Sequence, residues 1–246
     1  MEPITILAIS LIGFLVAVLA SMVGGAALIM VPVLIFFGIP IQTAIGTNWV
    51  ADGFMNLTSA IKYYRDKHLK VKKILIFSII AAFSGLIGIF VLLNINEIIL
   101  SKIVSIIIIL MALFLIVKNN MGLEKKQVKK NLLLSVIIAV GLGIYGGFFG
   151  GGLGSLLMLA FISLYGFDFI TAAGNARFAE FIISIVVVAG FIFSGLIDKQ
   201  VVVPYTIASG IGGYFGASIA PKIGNVWIKK LFIVTAIIMG IRLWIG

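Results

Sequence analysis

The segment GLGIYGGFFGGGLG (141–154) is the most informative part of the sequence for the fold of this chain. It closes a long apolar run at 131–149 and leads into a shorter one at 151–165. A run of that length is too short to cross a bilayer as one straight helix, and its entry through a glycine cluster is typical of a broken or half-helix. The stretch VGGAA (23–27) leads in the same way into a short run at 26–37. We therefore predict two broken segments.

Composition places the chain in the membrane class. Of its 246 residues 62% are hydrophobic and 11% are charged, whereas soluble domains carry about 25% charged residues. The mean hydropathy is +1.29. Eight further runs are long enough to cross a bilayer as helices. They span 4–23, 44–64, 74–93, 98–117, 131–149, 170–194, 201–221 and 228–245. The predicted fold is an all-α polytopic membrane protein.

Several kinds of chemistry are missing from the sequence. There is no cysteine, and His68 is the single histidine, so clusters of these metal ligands cannot form. No paired nucleophile and base, and no Walker A motif, can be recognised. We expect no cofactor, no ATP hydrolysis and no enzymatic activity. The net charge of +10 lies in short loops between apolar runs, which favours lipid rather than nucleic acid as the partner.

Basic loops predict the orientation, because Lys and Arg accumulate on the cytoplasmic side. The loops at 62–73, 118–130 and 221–230 are all basic and are expected to be cytoplasmic in a multi-pass plasma-membrane protein. This assignment requires ten segments, with the two short runs counted as crossings. If the short runs do not cross, eight spans remain and the loop at 221–230 faces outward.

The two halves of the sequence repeat each other at a shift of 128 residues. Six of the eight glycines in residues 1–118 meet a glycine at this shift, although 19 glycines among residues 129–246 would match about one by chance. We divide the chain into a first repeat (1–118), a cytoplasmic linker (119–130) and a second repeat (131–246). Each repeat has four long spans and one short segment. Since five is odd, the repeats are predicted to be inverted in the membrane, as in many secondary transporters.

Charged residues inside a span are the next clue. In AAGNARFAEFII (172–183), Arg177 and Glu180 stand three residues apart in an apolar run. An ionised side chain at the bilayer centre costs about 2.5–3.5 kcal/mol or more. A structural ion pair is one explanation; the other is that Arg177 attracts an anion while a carboxylate carries a proton. At the 128-residue shift Glu180 matches Asp52, whereas Arg177 matches Trp49.

The glycine clusters also allow more than one interpretation. Gly141, Gly143 and Gly146 have the spacing of a dinucleotide-binding loop, but the flanking spans and the missing acidic ribose ligand argue against one. Close helix packing through small residues is one alternative. A helix break whose free backbone amides bind an anion is the other, and the two can coexist.

Two ordered segments carry a resemblance to a known family. GGAALIMVPVLIFFGIPIQTAIGTNWVADGFMNLTSAIKYYRDKHL (24–69) and its weaker echo GGGLGSLLMLAFISLYGFDFITAAGNARFAEF (150–181) resemble the TauE/SafE sulfite exporters. The shared features are the glycine cluster, a proline in the short helix, a G-I-P turn and an A-I-G-T element. The likeness covers nearly the whole chain. It implies a permease for sulfite, sulfoacetate or other sulfur-containing or organic anions.

The resemblance, carried over by position, indicates the substrate surroundings. They comprise Gly24, Gly25, Gly150, Gly151, Gly152, Thr47, Asn48, Asn175 and Arg177. Glu180 and Asp52 are the candidates for proton coupling. The preferred hypothesis is a secondary transporter that moves a small anion by alternating access, with a passive anion channel or a carrier of a different organic anion as the alternatives. The sequence leaves the direction of transport and the oligomeric state open.

Overall fold

The structure of the chain is a computed structural model that describes residues 1–117 and 131–220. This part is all-helical and contains no strand. Its helices are α1 (Pro3–Val23), α2 (Ala27–Phe36), α3 (Ile41–Arg65), α4 (Val71–Leu93), α5 (Glu97–Val117), α6 (Leu132–Phe148), α7 (Leu153–Tyr165), α8 (Phe169–Phe193) and α9 (Val202–Ile219). The predicted runs coincide with these helices. The linker at 119–130, the basic loop at 221–230 and the span at 228–245 lie outside the described residues.

Glycines with positive φ separate each short helix from its neighbours. α1 ends at Gly24 (φ 94°), whose N–H donates to the carbonyl of Ala20 at 2.6 Å. α7 begins after Gly152 (φ 78°), the counterpart of Gly24 at the 128-residue shift. Side chains other than glycine rarely adopt this left-handed conformation, so the positions of the two breaks follow from the glycine clusters. Both predicted broken segments are confirmed as short helices.

The surface of the helices is suited to lipid. Three helices among the described residues, α1, α4 and α8, are long and apolar enough to cross a membrane. One face of α1 exposes Ile4, Leu7, Leu11 and Leu15, at spacings of three or four residues that form a single stripe. Exposed apolar stripes of this kind are unfavourable in water and favourable against acyl chains. The membrane class is therefore supported, and the full number of crossings stays a prediction.

Corresponding helices of the two halves have corresponding partners. α1 packs on α9, and its counterpart α6 packs on α4, the counterpart of α9. In the same way α3 packs on α9 while α8 packs on α4. α3 and α8, each 25 residues long and offset by 128, pack on each other at the centre. In each half, the first and third helices therefore pack on a helix of the other half.

The contacts between glycines and neighbouring helices give the helix directions. Gly53 of α3 faces Ser184 of α8, and Gly174 of α8 faces Tyr63 of α3. A higher residue number on α3 thus pairs with a lower one on α8, so these two helices run antiparallel. By the same test α1 and α9 run parallel, since Gly212 faces Ala17 and Gly216 faces Ser21.

A matching pair of hydrogen bonds fixes the loops that follow α3 and α8. The hydroxyl of Thr47 accepts from the backbone N–H of Asp198 at 2.8 Å. The side-chain carbonyl of Asn175 accepts from the backbone N–H of Lys70 at 2.9 Å. Thr47 corresponds to Asn175 and Lys70 to Asp198 at the 128-residue shift. Each half therefore holds the other half's loop through the same contact.

Candidate functional site

The centre of the candidate site is an ion pair inside α8. Arg177 and Glu180 are separated by three residues, which places them on one face of the helix. The distance between Arg177 Nη2 and Glu180 Oε2 is 2.8 Å. The two residues are only 1% and 6% exposed, respectively. A buried charge is stable only with a partner, so the two side chains neutralise each other in this arrangement.

The antiparallel helix α3 supplies a third group. Arg177 Nη1 donates to the side-chain carbonyl of Asn56 at 3.1 Å, and both side chains are buried. Arg177 Nε and Nη2 are also buried and make no hydrogen bond among the described residues, so the 2.8 Å contact of Nη2 with Glu180 is an ion pair without hydrogen-bond geometry. A guanidinium presents five N–H donors in a fixed fork that suits oxyanions. The unused Nε–H leaves this fork incompletely satisfied, which is costly unless a further acceptor binds there.

Asp52 lies on the same α3 face as Asn56, one turn away, and begins a chain of hydrogen bonds. Asp52 Oδ2 accepts from Asn48 Nδ2 at 2.8 Å. The Asn48 side-chain carbonyl accepts in turn from the Tyr205 hydroxyl of α9 at 2.7 Å. Asp52 Oδ1 is buried without a hydrogen-bond partner in the described part of the chain. Asp52 also lies within electrostatic range of Glu180 and Arg177, so the two carboxyl groups share one positive charge.

The first turn of α7 borders the ion pair. A Cβ atom built on Gly154 would lie 2.8 Å from Arg177 Cζ and 3.0 Å from Glu180 Oε2. The backbone amide of Gly154 also interacts with the Glu180 carboxyl group. The first amides of a helix lack partners within the helix and favour negative charge. Anion-attracting backbone and side-chain groups therefore converge on one place.

The two glycine breaks meet beside this place. The Ser155 hydroxyl of α7 donates to the carbonyl of Val23, the last residue of α1, at 2.7 Å. Gly24 packs so tightly on the same turn that a Cβ there would lie 2.6 Å from the backbone N of Ser155. The structure thus brings the Gly24 break to the α7 N-terminus, next to the Arg177 cluster.

Of the other predicted glycines, Gly25 lies in the α1–α2 break, and Gly150 and Gly151 lie in the α6–α7 break. Gly25 and Gly150 have positive φ angles of 90° and 74°. The Tyr145 hydroxyl donates to the carbonyl of Gly151. A Cβ at Gly150 would lie 2.6 Å from the ring of Trp49, whose Nε1 is buried without a hydrogen-bond partner among the described residues. Trp49 therefore packs on this break, whereas its counterpart Arg177 approaches α7.

Two predicted substrate residues have other contacts. Thr47 and Asn175 form the matching bonds to the loops after α8 and α3, and Asn175 Nδ2 also donates to the carbonyls of His68 and Thr171, at 3.2 and 2.6 Å. Their side chains are thus engaged away from the ion pair. Their role at the substrate site stays a prediction, while Asn48, Asp52, Arg177 and Glu180 are brought together.

Sequence reasoning missed Asn56, Tyr205 and Ser155 as site residues. Asn48, Asp52 and Asn56 recur every four residues on α3, and this spacing indicates one polar face. Tyr205 and Ser155 carry no comparable signal, because their partners lie 157 and 132 residues away in sequence. Among the described residues no group of three potential metal ligands is found.

Comparison with known proteins identifies the family. The family described as Sulfite exporter TauE/SafE matches residues 9–243. The chain belongs to the TauE/SafE sulfite exporter family. Its members are membrane transporters and not enzymes, and the chain is accordingly a membrane transporter.

Individual relatives match this TauE/SafE protein over most of both chains. A Haemophilus influenzae protein named "Probable membrane transporter protein" is 27% identical, covering 93% of this chain and 90% of its own. A Sinorhizobium protein, "Probable membrane transporter protein ORF9", is 26% identical over 94% and 88% of the two chains. The Bacillus subtilis protein YdhB, also named a probable membrane transporter, is 24% identical over 96% and 98%. No solved structure matches the chain.

Proposed function

We propose that this TauE/SafE protein is a secondary transporter of a small anion, namely sulfite or another sulfur-containing or organosulfonate anion. The observation that carries the proposal is the buried guanidinium of Arg177, whose Nε–H has no partner among the described residues. A positive charge at membrane depth is costly and is typically kept for a transported ion or for a structural pair. The unused donor favours the first role.

The surroundings of Arg177 suit an oxyanion with several acceptor oxygens. Asn56 accepts from Nη1, Glu180 forms an ion pair with Nη2, and the first turn of α7 adds the backbone amide of Gly154. Sulfite and sulfonates carry three oxygens that can accept from the fork and from the amides together. An anion, unlike a neutral substrate, adds charge–charge attraction to the hydrogen bonds that it accepts from a guanidinium.

We propose alternating access as the mechanism, with the two halves forming inverted repeats around this site. Three observations support this: the corresponding helix partners, the antiparallel crossing of α3 and α8, and the matching loop bonds of Thr47 and Asn175. Two like halves of opposite direction, with broken helices at their interface, are the architecture of many secondary transporters. Glu180 and Asp52 are the candidates for proton coupling, because both carboxyl groups lie within electrostatic range of Arg177.

The basic loops and the apolar surface indicate where the protein is located and how it is oriented. We propose a multi-pass protein of the plasma membrane, with the basic loop at 62–73 on the cytoplasmic side, as is expected also for 118–130 and 221–230. Membrane lipid is the surrounding partner, through the apolar stripe on α1.

Uptake of radiolabelled sulfite into proteoliposomes tests the proposal. A transporter predicts saturable uptake, and unlabelled sulfite trapped inside should accelerate the entry of labelled sulfite by exchange. A passive channel, the first alternative, predicts uptake that neither saturates nor responds to trapped sulfite. Competition by sulfoacetate, taurine and organic acids identifies a different organic anion, the second alternative. Uptake no faster than in protein-free liposomes for every anion contradicts the proposal.

A further inference from the structure

Glu180 occupies the guanidinium that the substrate anion needs. Glu180 contacts Arg177 with one oxygen, at Nη2, and Nε has no partner among the described residues. Nε–H and Nη2–H point to the same side of a guanidinium, so an oxyanion that binds this edge with two oxygens requires the nitrogen that Glu180 contacts. The resident carboxylate and the incoming anion therefore compete for one edge.

The charge balance around Arg177 determines when an anion can replace the Glu180 carboxylate. Asn56 contributes no charge, and the groups that face Glu180 are Arg177 on α8, Asp52 on α3 and the Gly154 amide on α7. A bound anion beside an ionised Glu180 would place two negative groups on one guanidinium with Asp52 close by. Like charges in a buried site oppose one another strongly. If Glu180 takes up a proton, the anion replaces it as the counter-ion and the local charge is unchanged.

We infer that Glu180 is an exchangeable counter-ion of Arg177 that takes up one proton from water when the anion binds and returns it when the anion leaves. The inference rests on the proposed function. It adds the identity of the coupling residue, Glu180, and a stoichiometry of one proton taken up for each anion bound. No covalent bond forms, since the proton moves between water and a Glu180 oxygen.

Asp52 has a different role in this scheme. Its Oδ2 is held by Asn48, which is itself held by Tyr205, so Asp52 belongs to the bridge between α3 and α9. It does not contact Arg177 by an ion pair of the kind that Glu180 makes. Asp52 is a positioning residue, and the coupling proton is assigned to Glu180 although the two carboxyl groups correspond in the repeat.

The test compares wild type, Glu180→Gln and Asp52→Asn over a pH series, with sulfite affinity as the readout. Sulfite takes up a proton of its own in this range, and that contribution is common to the three proteins. If Glu180 takes up a proton when sulfite binds, sulfite affinity falls as the pH rises. For each unit of pH increase, wild type and Asp52→Asn should lose up to about tenfold more affinity than Glu180→Gln. In liposomes Glu180→Gln should also fail to accumulate sulfite in response to a pH gradient, whereas Asp52→Asn should respond to it.

Infrared difference spectra give a readout that does not depend on the glutamine variant folding. Addition of sulfite to wild type and to Asp52→Asn should produce the C=O band of a protonated carboxylic acid, and Glu180→Asp should shift it. Absence of the band in wild type, or an equal pH response of Glu180→Gln and wild type, overturns the inference. If wild type transports none of the tested anions, the proposed function itself fails, and that outcome is distinct; if it transports another of these anions but not sulfite, the same comparison is made with that anion.

Discussion

Arg177 lies directly against Gly154. The guanidinium fills the space where the first turn of α7 has no side chain, so that a Cβ at Gly154 would lie 2.8 Å from Arg177 Cζ. This contact brings the buried positive charge onto the end of the short helix. Because the contact is so close, a single methyl group added at Gly154 should move the side chain of Arg177.

Gly154→Ala is therefore expected to displace Arg177 and to lower sulfite affinity by about fivefold or more, since overpacking of this kind costs about 1–3 kcal/mol. Gly154 has no positive φ, so alanine is acceptable to the backbone. The measurement is sulfite binding to the purified protein.

Gly141→Ala is the matched control for this variant. Gly141 lies on α6, where an added Cβ meets no atom within 4 Å, so affinity should not fall. Equal affinities of the Gly154→Ala and Gly141→Ala proteins would show that the contact with Arg177 has no role in binding.

Tyr205→Phe should destabilise the protein by about 1 kcal/mol, because it removes the hydroxyl that donates to Asn48 at 2.7 Å. Both side chains are buried, so Asn48 loses a partner that water does not replace. Unfolding in mixed micelles measures the change. Tyr214→Phe, on the same helix at a residue that is 39% exposed, should have little effect. Equal losses for the two variants would contradict a role for the Tyr205–Asn48 bond.

Inverted repeats predict that corresponding loops lie on opposite sides of the membrane. The chain has no cysteine, so single cysteines can be introduced without a background. Lys67→Cys and Lys199→Cys change exposed residues in the loops after α3 and α8. In intact cells a membrane-impermeant maleimide should label Lys199→Cys alone, and Lys67→Cys should react only after permeabilisation. Labelling of both variants from one side would refute the inverted arrangement.

Much of the fold could be predicted because the decisive signals are local. The apolar run at 170–194 is helix Phe169–Phe193, and the short run at 26–37 is helix Ala27–Phe36. Glycine clusters and run lengths act within a few residues of the breaks they cause. The equivalence of the two halves at the 128-residue shift stays a prediction, with which the corresponding helix partners agree.

The candidate site was only partly predictable because its contacts join distant parts of the chain. Arg177 and Glu180 were recognisable as charges in an apolar run, but Asn56 lies 121 residues from Arg177 in sequence. Thr47 and Asn175 were predicted as substrate residues, but their side chains bind backbone N–H groups of the loops after α8 and α3. A polar side chain in a span can satisfy a backbone amide as well as a substrate, and only the three-dimensional contact distinguishes the two.

Saturable sulfite uptake by proteoliposomes that contain Arg177→Lys tests whether Arg177 binds the transported anion. Lysine keeps a positive charge beside Glu180 but lacks the planar fork, so uptake at subsaturating sulfite should fall at least about tenfold below wild type. Arg65→Ala, which removes an exposed arginine at the end of α3, is the control and should transport like wild type. If Arg177→Lys and Arg65→Ala show the same saturable uptake as wild type, the guanidinium of Arg177 does not bind the transported anion.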